Sequence, residues 1–237
     1  MIEAARQLVR SARQIVAFSG AGLSAESGVP TFRDKDTQGF WVQYDPQKLA
    51  TAEGFDADPQ LVYDWYRDRR RNITRVDPNP AHRALAARPD VINITQNIDD
   101  LLDRAGAERI LQLHGTLTMD RCHAECGYRE RVDLADPPPL RRCPDCGAML
   151  RPDVVWFGEL LPLEVWNQAE IAAQTCDLML VVGTAAEVYP AAGLIGLARR
   201  AGAKILVINP NLSGASALAD IELTGKAGEV LPQVLRP

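Results

Sequence analysis

The stretch Ile15-Val16-Ala17-Phe18-Ser19-Gly20-Ala21-Gly22-Leu23-Ser24 decides how the rest of the chain is read. Four apolar residues without alternation describe a short strand buried on both faces, and the glycines after them describe a tight turn. Three more runs share this character: Val91-Ile92-Asn93-Ile94-Thr95, Leu178-Met179-Leu180-Val181-Val182 and Ile205-Leu206-Val207-Ile208-Asn209. Turn residues bound each of them, and helical patterns lie between, as over Ala191 to Ala201. Strands alternating with helices predict an α/β fold, a mostly parallel sheet with helices on both faces. In such sheets ligands bind beyond the carboxyl ends of the strands. Those ends carry Gly20-Ala21-Gly22, Gln96-Asn97-Ile98-Asp99, Gly183-Thr184 and Asn209-Pro210-Asn211, so the polar residues gather where a site belongs.

Bulk properties narrow the classes. The 237 residues are 46% hydrophobic and 24% charged, ordinary for a globular chain able to bury a core. A net charge of −5 and a pI near 5.3 argue against a general nucleic-acid or membrane-surface binder, so neither partner is expected. No stretch reaches the roughly 18 uninterrupted apolar residues of a transmembrane helix. The N-terminal segment contains a short amphipathic helix, Ala4 to Arg13, and its apolar run is too short for a signal peptide. Five cysteines, with two close pairs, fit a reduced compartment and a metal site better than a disulfide framework. The default location is cytoplasmic.

Two segments break the alternation, and there is no internal repeat. Residues 34–79 hold aromatic and arginine-rich helical sequence, with Asp58-Pro59 as an N-cap followed by proline at the first helical position. Residues 118–150 contain the cysteine pairs. Together they are expected to form a second, smaller domain, leaving 1–33, 80–117 and 151–237 for the large one.

Cys122-x3-Cys126 and Cys143-x2-Cys146 are two turn-borne pairs suited to tetrahedral zinc, with Gly127 and Gly147 serving the tight turns. Four thiolates leave no open position, so the metal is expected to be structural. His123, next to Cys122, is expected at the surface. Cys176, approaching a strand, reads as a small core residue.

Singly, the polar motifs have plain explanations. The glycine loop serves equally as a phosphate cradle or as a simple turn, and it does not complete the dinucleotide pattern because position 25 is Ala. Asn97 or Asp99 suits a cap for a helix starting near Leu101. His114 suits a satisfied histidine at a strand end, and His82 suits a helix start. No acidic residue ends a second strand about 20 residues on, which counts against hydride transfer by an oxidoreductase.

As a series the motifs say more. Gly20-Ala21-Gly22-Leu23-Ser24-Ala25-Glu26-Ser27-Gly28-Val29-Pro30-Thr31-Phe32-Arg33 resembles the sirtuin signature loop. Gln96-Asn97-Ile98-Asp99, Leu113-His114-Gly115-Thr116, the cysteine pairs, Arg151-Pro152-Asp153-Val154-Val155-Trp156-Phe157-Gly158-Glu159, Gly183-Thr184 and Asn209-Pro210-Asn211 follow in the family's order. The resemblance covers essentially the whole chain. It implies a Rossmann-like large domain, a small domain with a zinc ribbon, and a cleft that takes NAD and an acylated lysine of a protein substrate. By resemblance, Gly20, Ala21, Gly22, Ser24, Phe32 and Arg33 line the cofactor loop, and Gln96, Asn97, Ile98 and Asp99 hold the nicotinamide and its ribose. Gly183, Thr184, Ala185, Asn209, Pro210 and Asn211 face the adenosine half, with Ala227 under the adenine. Val154, Trp156, Phe157 and Gly158 clamp the peptide as an added strand. His114, aided by Asn97, is the catalytic residue implied: a histidine with an ordinary pKa near ~6.5 takes a ribose hydroxyl proton at neutral pH. NAD is then consumed, with nicotinamide and an O-acyl-ADP-ribose as products, and the zinc takes no part in bond breaking. A protein that mainly transfers ADP-ribose, or a zinc-ribbon module that only senses NAD, are the alternatives.

Asp58 to Ile73 reads as one helix, with Tyr66 and Arg69 three apart and so neighbours on its surface. Trp65-Tyr66-Arg67-Asp68-Arg69-Arg70 resembles a stretch of sirtuins that remove succinyl and malonyl groups. A guanidinium fork and a phenol hydroxyl suit a carboxylate, and this reading is preferred to that of a solvated arginine run. The segment Asp34 to Gly39 is longer and more charged than in those relatives, which bears on pocket width.

Overall fold

A computed structural model describes residues 1–31 and 45–236. Phe32, Arg33 and the charged segment Asp34 to Gly39 therefore lie outside the described residues. Among those described, the strands are β1 (Ile15–Ser19), β2 (Val91–Thr95), β3 (Ile110–Gln112), β4 (Gly115–Cys122), β5 (Arg129–Arg131), β6 (Leu150–Val154), β7 (Leu178–Val182), β8 (Lys204–Asn209) and β9 (Ile221–Thr224). The α-helices are α1 (Ile2–Ser11), α2 (Pro46–Leu49), α3 (Ala52–Ala57), α4 (Pro59–Ile73), α5 (Pro80–Ala86), α6 (Leu101–Ala105), α7 (Leu163–Thr175), α8 (Gly193–Arg200) and α9 (Ala227–Val234). None of these helices is long and apolar enough to cross a membrane.

Six strands pair in the order β3-β2-β1-β7-β8-β9, all parallel. This is the Rossmann order, in which the chain leaves β1 in one direction and later returns to its other side at β7. Ser19, the last residue of β1, is level with Thr95 and Val182, so the three strands end together. The absence of alternation in the strands has a direct cause. Ala17, Leu180 and Leu206 face one apolar layer with Val9 of α1, Leu85 of α5 and Leu231 of α9. Val16, Phe18, Val181 and Val207 face the other, with Ala173 of α7 and Ile195 of α8. Cys176 lies in that second layer, where burial pushes its thiol up to about 11.

The three-stranded antiparallel sheet, β5-β4-β6, packs against α4. Asp58 caps α4 through the Leu61 N–H at 3.0 Å, and Pro59 occupies its first turn. The buried face of α4 is Val62, Tyr63, Tyr66, Arg70 and Ile73, a helical repeat that happens to include a charge. The arginine run is therefore divided. Arg71 is partly solvated, whereas Arg70 is fully buried and donates to the carbonyls of Leu117 (2.8 Å) and Met119 (2.9 Å) and to Asp120 (2.7 Å).

Candidate functional site

The carboxyl ends of β1, β2, β7 and β8 are joined by a continuous set of hydrogen bonds. Gly22 N–H donates to the Gly183 carbonyl at 2.8 Å. A methyl group on Gly22 would lie 2.6 Å from the Gly183 Cα, and Gly183 itself has φ of +59°. Glycine is thus required on both sides because two loops touch, and the loop's first physical task is to close against β7. Gln96, just after β2, donates its side-chain amide to Thr184 Oγ1 at 3.0 Å, and Asn209, ending β8, donates to the Thr184 carbonyl at 2.8 Å. Ala185, Pro210 and Asn211 lie exposed beyond these ends, while Ala227 is the buried first residue of α9.

Ser24 is the hub of the β1–β2 side. Its hydroxyl donates to Asp99 Oδ2 at 2.9 Å and accepts from the Asn97 amide at 3.1 Å. His82 Nε2 lies 3.3 Å from the same oxygen. The tautomer of His82 follows from its other nitrogen: Nδ1 accepts the Asn79 N–H at 3.2 Å, so Nε2 carries the proton and donates to Ser24. Asn79 and His82 form a capping box at the start of α5, which is the helix-start role expected of His82. Burial, with Arg83 adding to it, holds His82 down to about 4, so the ring is neutral at pH 7. Asp99 also accepts the Leu101 N–H at 3.1 Å, doing a capping task as well as the Ser24 one. Burial raises its carboxyl above the usual range against those two bonds. Ile98 turns the other way, into the apolar cluster beneath α4.

His114 stands between β3 and β4, half-buried, with Nδ1 3.0 Å from the Gln96 carbonyl. A carbonyl only accepts, so Nδ1 is protonated and Nε2 presents its lone pair. Among the described residues Nε2 has no hydrogen-bond partner. Burial lowers the histidine's pKa and the Gln96 bond acts against that, so the basic form prevails at neutral pH.

On the peptide-side stretch, Val154 and Trp156 are buried side chains of the α4 cluster, while Phe157 is 52% exposed. Gly158 has φ of +86° and turns the chain back on itself. One residue to which sequence reasoning gave no role, Glu159, holds this turn: it accepts from the Trp156 N–H (2.9 Å), from Arg121 (3.0 Å) and from Arg151. Arg151 is buried with its guanidinium 3.8 Å from the Trp156 ring centre. A carboxylate three residues after a tryptophan, with two arginines on adjacent strands, was the available signal. Tyr66 is buried and its hydroxyl accepts the Trp156 indole N–H at 3.0 Å. Arg69 lies beside the rings of Trp65 and Tyr66, its Cζ 5.0 and 5.8 Å from their centres. Burial lowers its pKa, while Tyr66 and Asp99 act to raise it, so α4 brings Arg69 within the field of the strand-end cluster.

The four cysteines converge at the far end of β4. All four sulfurs lie within 4.8 Å of one another, with Cys122–Cys146 at 3.3 Å and Cys126–Cys143 at 3.5 Å. A tetrahedral ion with Zn–S bonds of ~2.3 Å sets sulfurs about 3.8 Å apart, so the set fits zinc. Gly127 and Gly147 both adopt positive φ in the two turns. His123 differs from expectation. It is half-buried and not freely exposed, packing 4.8 Å from Phe55 and bonding to Asp56 at 2.9 Å, with its side chain 22% exposed. The reason is that α3 covers it.

Comparison with known proteins agrees with this geometry. The model of the Sir2 family matches residues 20–190. An NAD-dependent protein deacylase of Ralstonia nicotianae is 48% identical over 98% of this chain and 94% of its own length. A mutant of a Sir2 homologue in complex with ADP ribose superposes with a TM-score of 0.94 at 41% identity, covering 100% of this chain and 96% of that one. A Sir2 homologue in complex with NAD gives 0.91 at 41% identity, covering 99% and 92%. The Rossmann order, the strand-end cluster and the four-cysteine set stand together in one chain, and that chain belongs to the Sir2 (sirtuin) family.

Proposed function

We propose that this protein is an NAD-dependent protein-lysine deacylase that releases nicotinamide and O-acyl-ADP-ribose and favours acidic acyl groups. Two relatives with bound NAD or ADP ribose, and a relative named as a deacylase, support the class. The observation that carries it is His114, with Nδ1 fixed on the Gln96 carbonyl and Nε2 left as a base. NAD, when bound, supplies the ribose carbon that receives the acyl oxygen as nicotinamide leaves. Gln96, Asn97 and Asp99 orient the nicotinamide ribose, His114 takes a hydroxyl proton from it, and Gly183, Thr184 and Asn209 carry the adenosine half. The Ser24 hydroxyl, with both acceptor sites and its hydrogen committed, keeps the two loops at fixed separation. The peptide lies along the turn at Phe157 and Gly158, which Val154 and Trp156 support from below. Residues 34–79 and 118–150 act as the small domain against the large one, and a zinc held by Cys122, Cys126, Cys143 and Cys146 keeps the ribbon folded without entering the chemistry.

Tyr66 and Arg69 support the acidic-acyl preference. The pair offers a phenol and a guanidinium side by side, near the Asp99 end of the cluster. The test is steady-state kinetics on acetyl-, succinyl- and malonyl-lysine peptides, with products identified by mass spectrometry. His114→Ala is expected to lose turnover by a factor on the order of 10² or more while still binding NAD. Arg69→Met should lower the succinyl-to-acetyl ratio of kcat/KM about tenfold or more, the size of a charge-assisted bond. An equal loss on both acyl groups would refute the acidic preference. Absence of nicotinamide release from NAD and acyl-peptide would refute the deacylase reading itself.

A further inference from the structure

Trp156 Nε1 and the Tyr66 hydroxyl are 3.0 Å apart, and both residues are 2% exposed. The direction of this bond is not open to choice, because an indole nitrogen only donates. The Tyr66 oxygen therefore accepts, and its own hydrogen remains to be donated elsewhere. We propose that Trp156 is a specificity-positioning residue, whose indole N–H fills an acceptor site on Tyr66 and so presents the Tyr66 hydrogen to the distal carboxylate of an acidic acyl group. The proposal rests on the reading of Tyr66 and Arg69 given above.

Three features make the indole a fixed device and not an incidental neighbour. The Trp156 backbone is clamped by Glu159, whose carboxylate accepts its N–H at 2.9 Å and whose N–H donates to its carbonyl at 3.1 Å. One side of the ring carries the Arg151 guanidinium at 3.8 Å, and Phe55 packs with its centre 5.4 Å away. The Tyr66 ring is in turn held edge-on by Trp65, centres 4.7 Å apart, so the hydroxyl has little freedom to leave the indole. Burial raises the Tyr66 hydroxyl above its ordinary pKa, which keeps its hydrogen in place at neutral pH. A hydroxyl that already accepts one hydrogen bond donates a stronger one. An acetyl group offers no carboxylate to receive it, whereas a succinyl or malonyl group does. The turn that borders the peptide and the pair that reads the acyl chain are thereby joined through a single side chain.

The experiment is a double-mutant cycle read as the succinyl-to-acetyl ratio of kcat/KM. Trp156→Phe keeps a ring for Arg151 and Phe55 and removes the N–H. The ratio is expected to fall roughly five- to tenfold, the size of one neutral hydrogen bond, whatever loss the two substrates share. Added to Tyr66→Phe, the same change should lower the ratio little further, because both substitutions remove one device. A shape-preserving replacement at position 156 by benzothienylalanine, with sulfur in place of the N–H, should give the same shift and covers the case in which Trp156→Phe folds poorly. An unchanged ratio in both position-156 variants, or full additivity with Tyr66→Phe, overturns the proposal. If Tyr66→Phe and Arg69→Met shift the ratio and the position-156 variants do not, this inference alone fails. If none of them shifts it, the acidic-acyl reading fails and takes the inference with it.

Discussion

Every position of β1 and β7 is buried, and apart from Ser19 every one is apolar. On β4 and β6, by contrast, Asp120 and Arg151 are buried beside Leu117 and Leu150, and α4 adds a buried Arg70. Asp120 alone receives Arg70 at 2.7 Å, Tyr63 at 2.6 Å and Arg141 at 3.1 Å, and Arg141 goes on to Glu130. The large sheet is held by a non-directional force shared over many side chains. The smaller sheet has an apolar cluster under α4 as well, but it buries charges beside it and so also depends on directional bonds and four thiolates, each needing its partners. The loss of one member should therefore be a fixed packing cost on the first side, and on the second a cost that depends on which partners remain.

The largest effect is expected at the cysteines. Cys143 is buried and belongs to the four-sulfur set, so Cys143→Ser should abolish stoichiometric zinc and most soluble, folded protein. Metal analysis and circular dichroism of the purified chain are the measurements. A Cys143→Ser protein with full zinc content and wild-type melting would break the comparison at its strongest point.

Next come single substitutions on the two sides. Arg70→Met leaves Asp120 short of a cation and two carbonyls short of donors, and should cost about 3–5 kcal/mol in urea unfolding. Leu180→Ala, at the centre of the large sheet, should cost a comparable ~2–5 kcal/mol through lost packing. The two differ in repair. Changing Asp120→Leu in the Arg70→Met background should recover part of the loss, because a buried carboxylate short of one cation is part of the damage, although Tyr63 and Arg141 then lose their acceptor. Leu180 packs within an apolar cluster, so among the described residues no paired charge can be deleted to offset its cost, which should stand.

This contrast also explains how much could be read in advance. Val91–Thr95 and Leu178–Val182 are strands at the bounds their apolar runs suggest, because uninterrupted aliphatic sequence has one cheap solution in water. Ile110–Gln112 gave no such signal, being three residues long, and neither did Ile221–Thr224, which Glu222 interrupts. The polar strand ends were legible as a series, yet the Ser24 hub was not, since it depends on His82 and Asn97 meeting across separate elements. Least legible were the buried arginines. Arg70 and Arg71 are adjacent in sequence, and only the 100° helical step between them decides that one is buried and the other partly solvated.

A titrating group on the large side should make its stability depend on pH. His82 is fully buried and held to about 4, against an ordinary value near 6.5. Above pH 6.5 the ring is neutral in both folded and unfolded chains, and stability is unaffected. Between 6.5 and 4 the unfolded chain takes up a proton that the folded one refuses, so stability falls as pH falls. The full loss should be about 3 kcal/mol. In His82→Gln, a residue that keeps the capping box, the drop between pH 7 and 4 should be smaller by that amount. Equal drops in wild type and variant would mean that the ring is not held neutral.

The smallest effect is expected where the large side relies on an exposed charge. Glu26, in the glycine loop, accepts the Gly228 N–H of α9 at 2.6 Å, and so ties the loop to the helix that begins at Ala227. A carboxylate at a helix start is favoured by the macrodipole, but Glu26 is solvent-exposed and water and salt screen it. Glu26→Gln should therefore cost only ~0.3–1 kcal/mol in dilute buffer, and most of that difference should vanish in 1 M salt, where the Debye length falls to about 3 Å. The Arg70→Met deficit should persist under the same conditions, because salt does not reach a fully buried pair. Since Glu26 joins the loop of Ser24 to the start of α9, the variant should also weaken NAD binding by a factor of a few. A titration in low and high salt reads both consequences. If the Glu26→Gln deficit matches that of Arg70→Met, or survives high salt unchanged, then burial does not set the worth of a charge in this molecule and the division between its two sides fails.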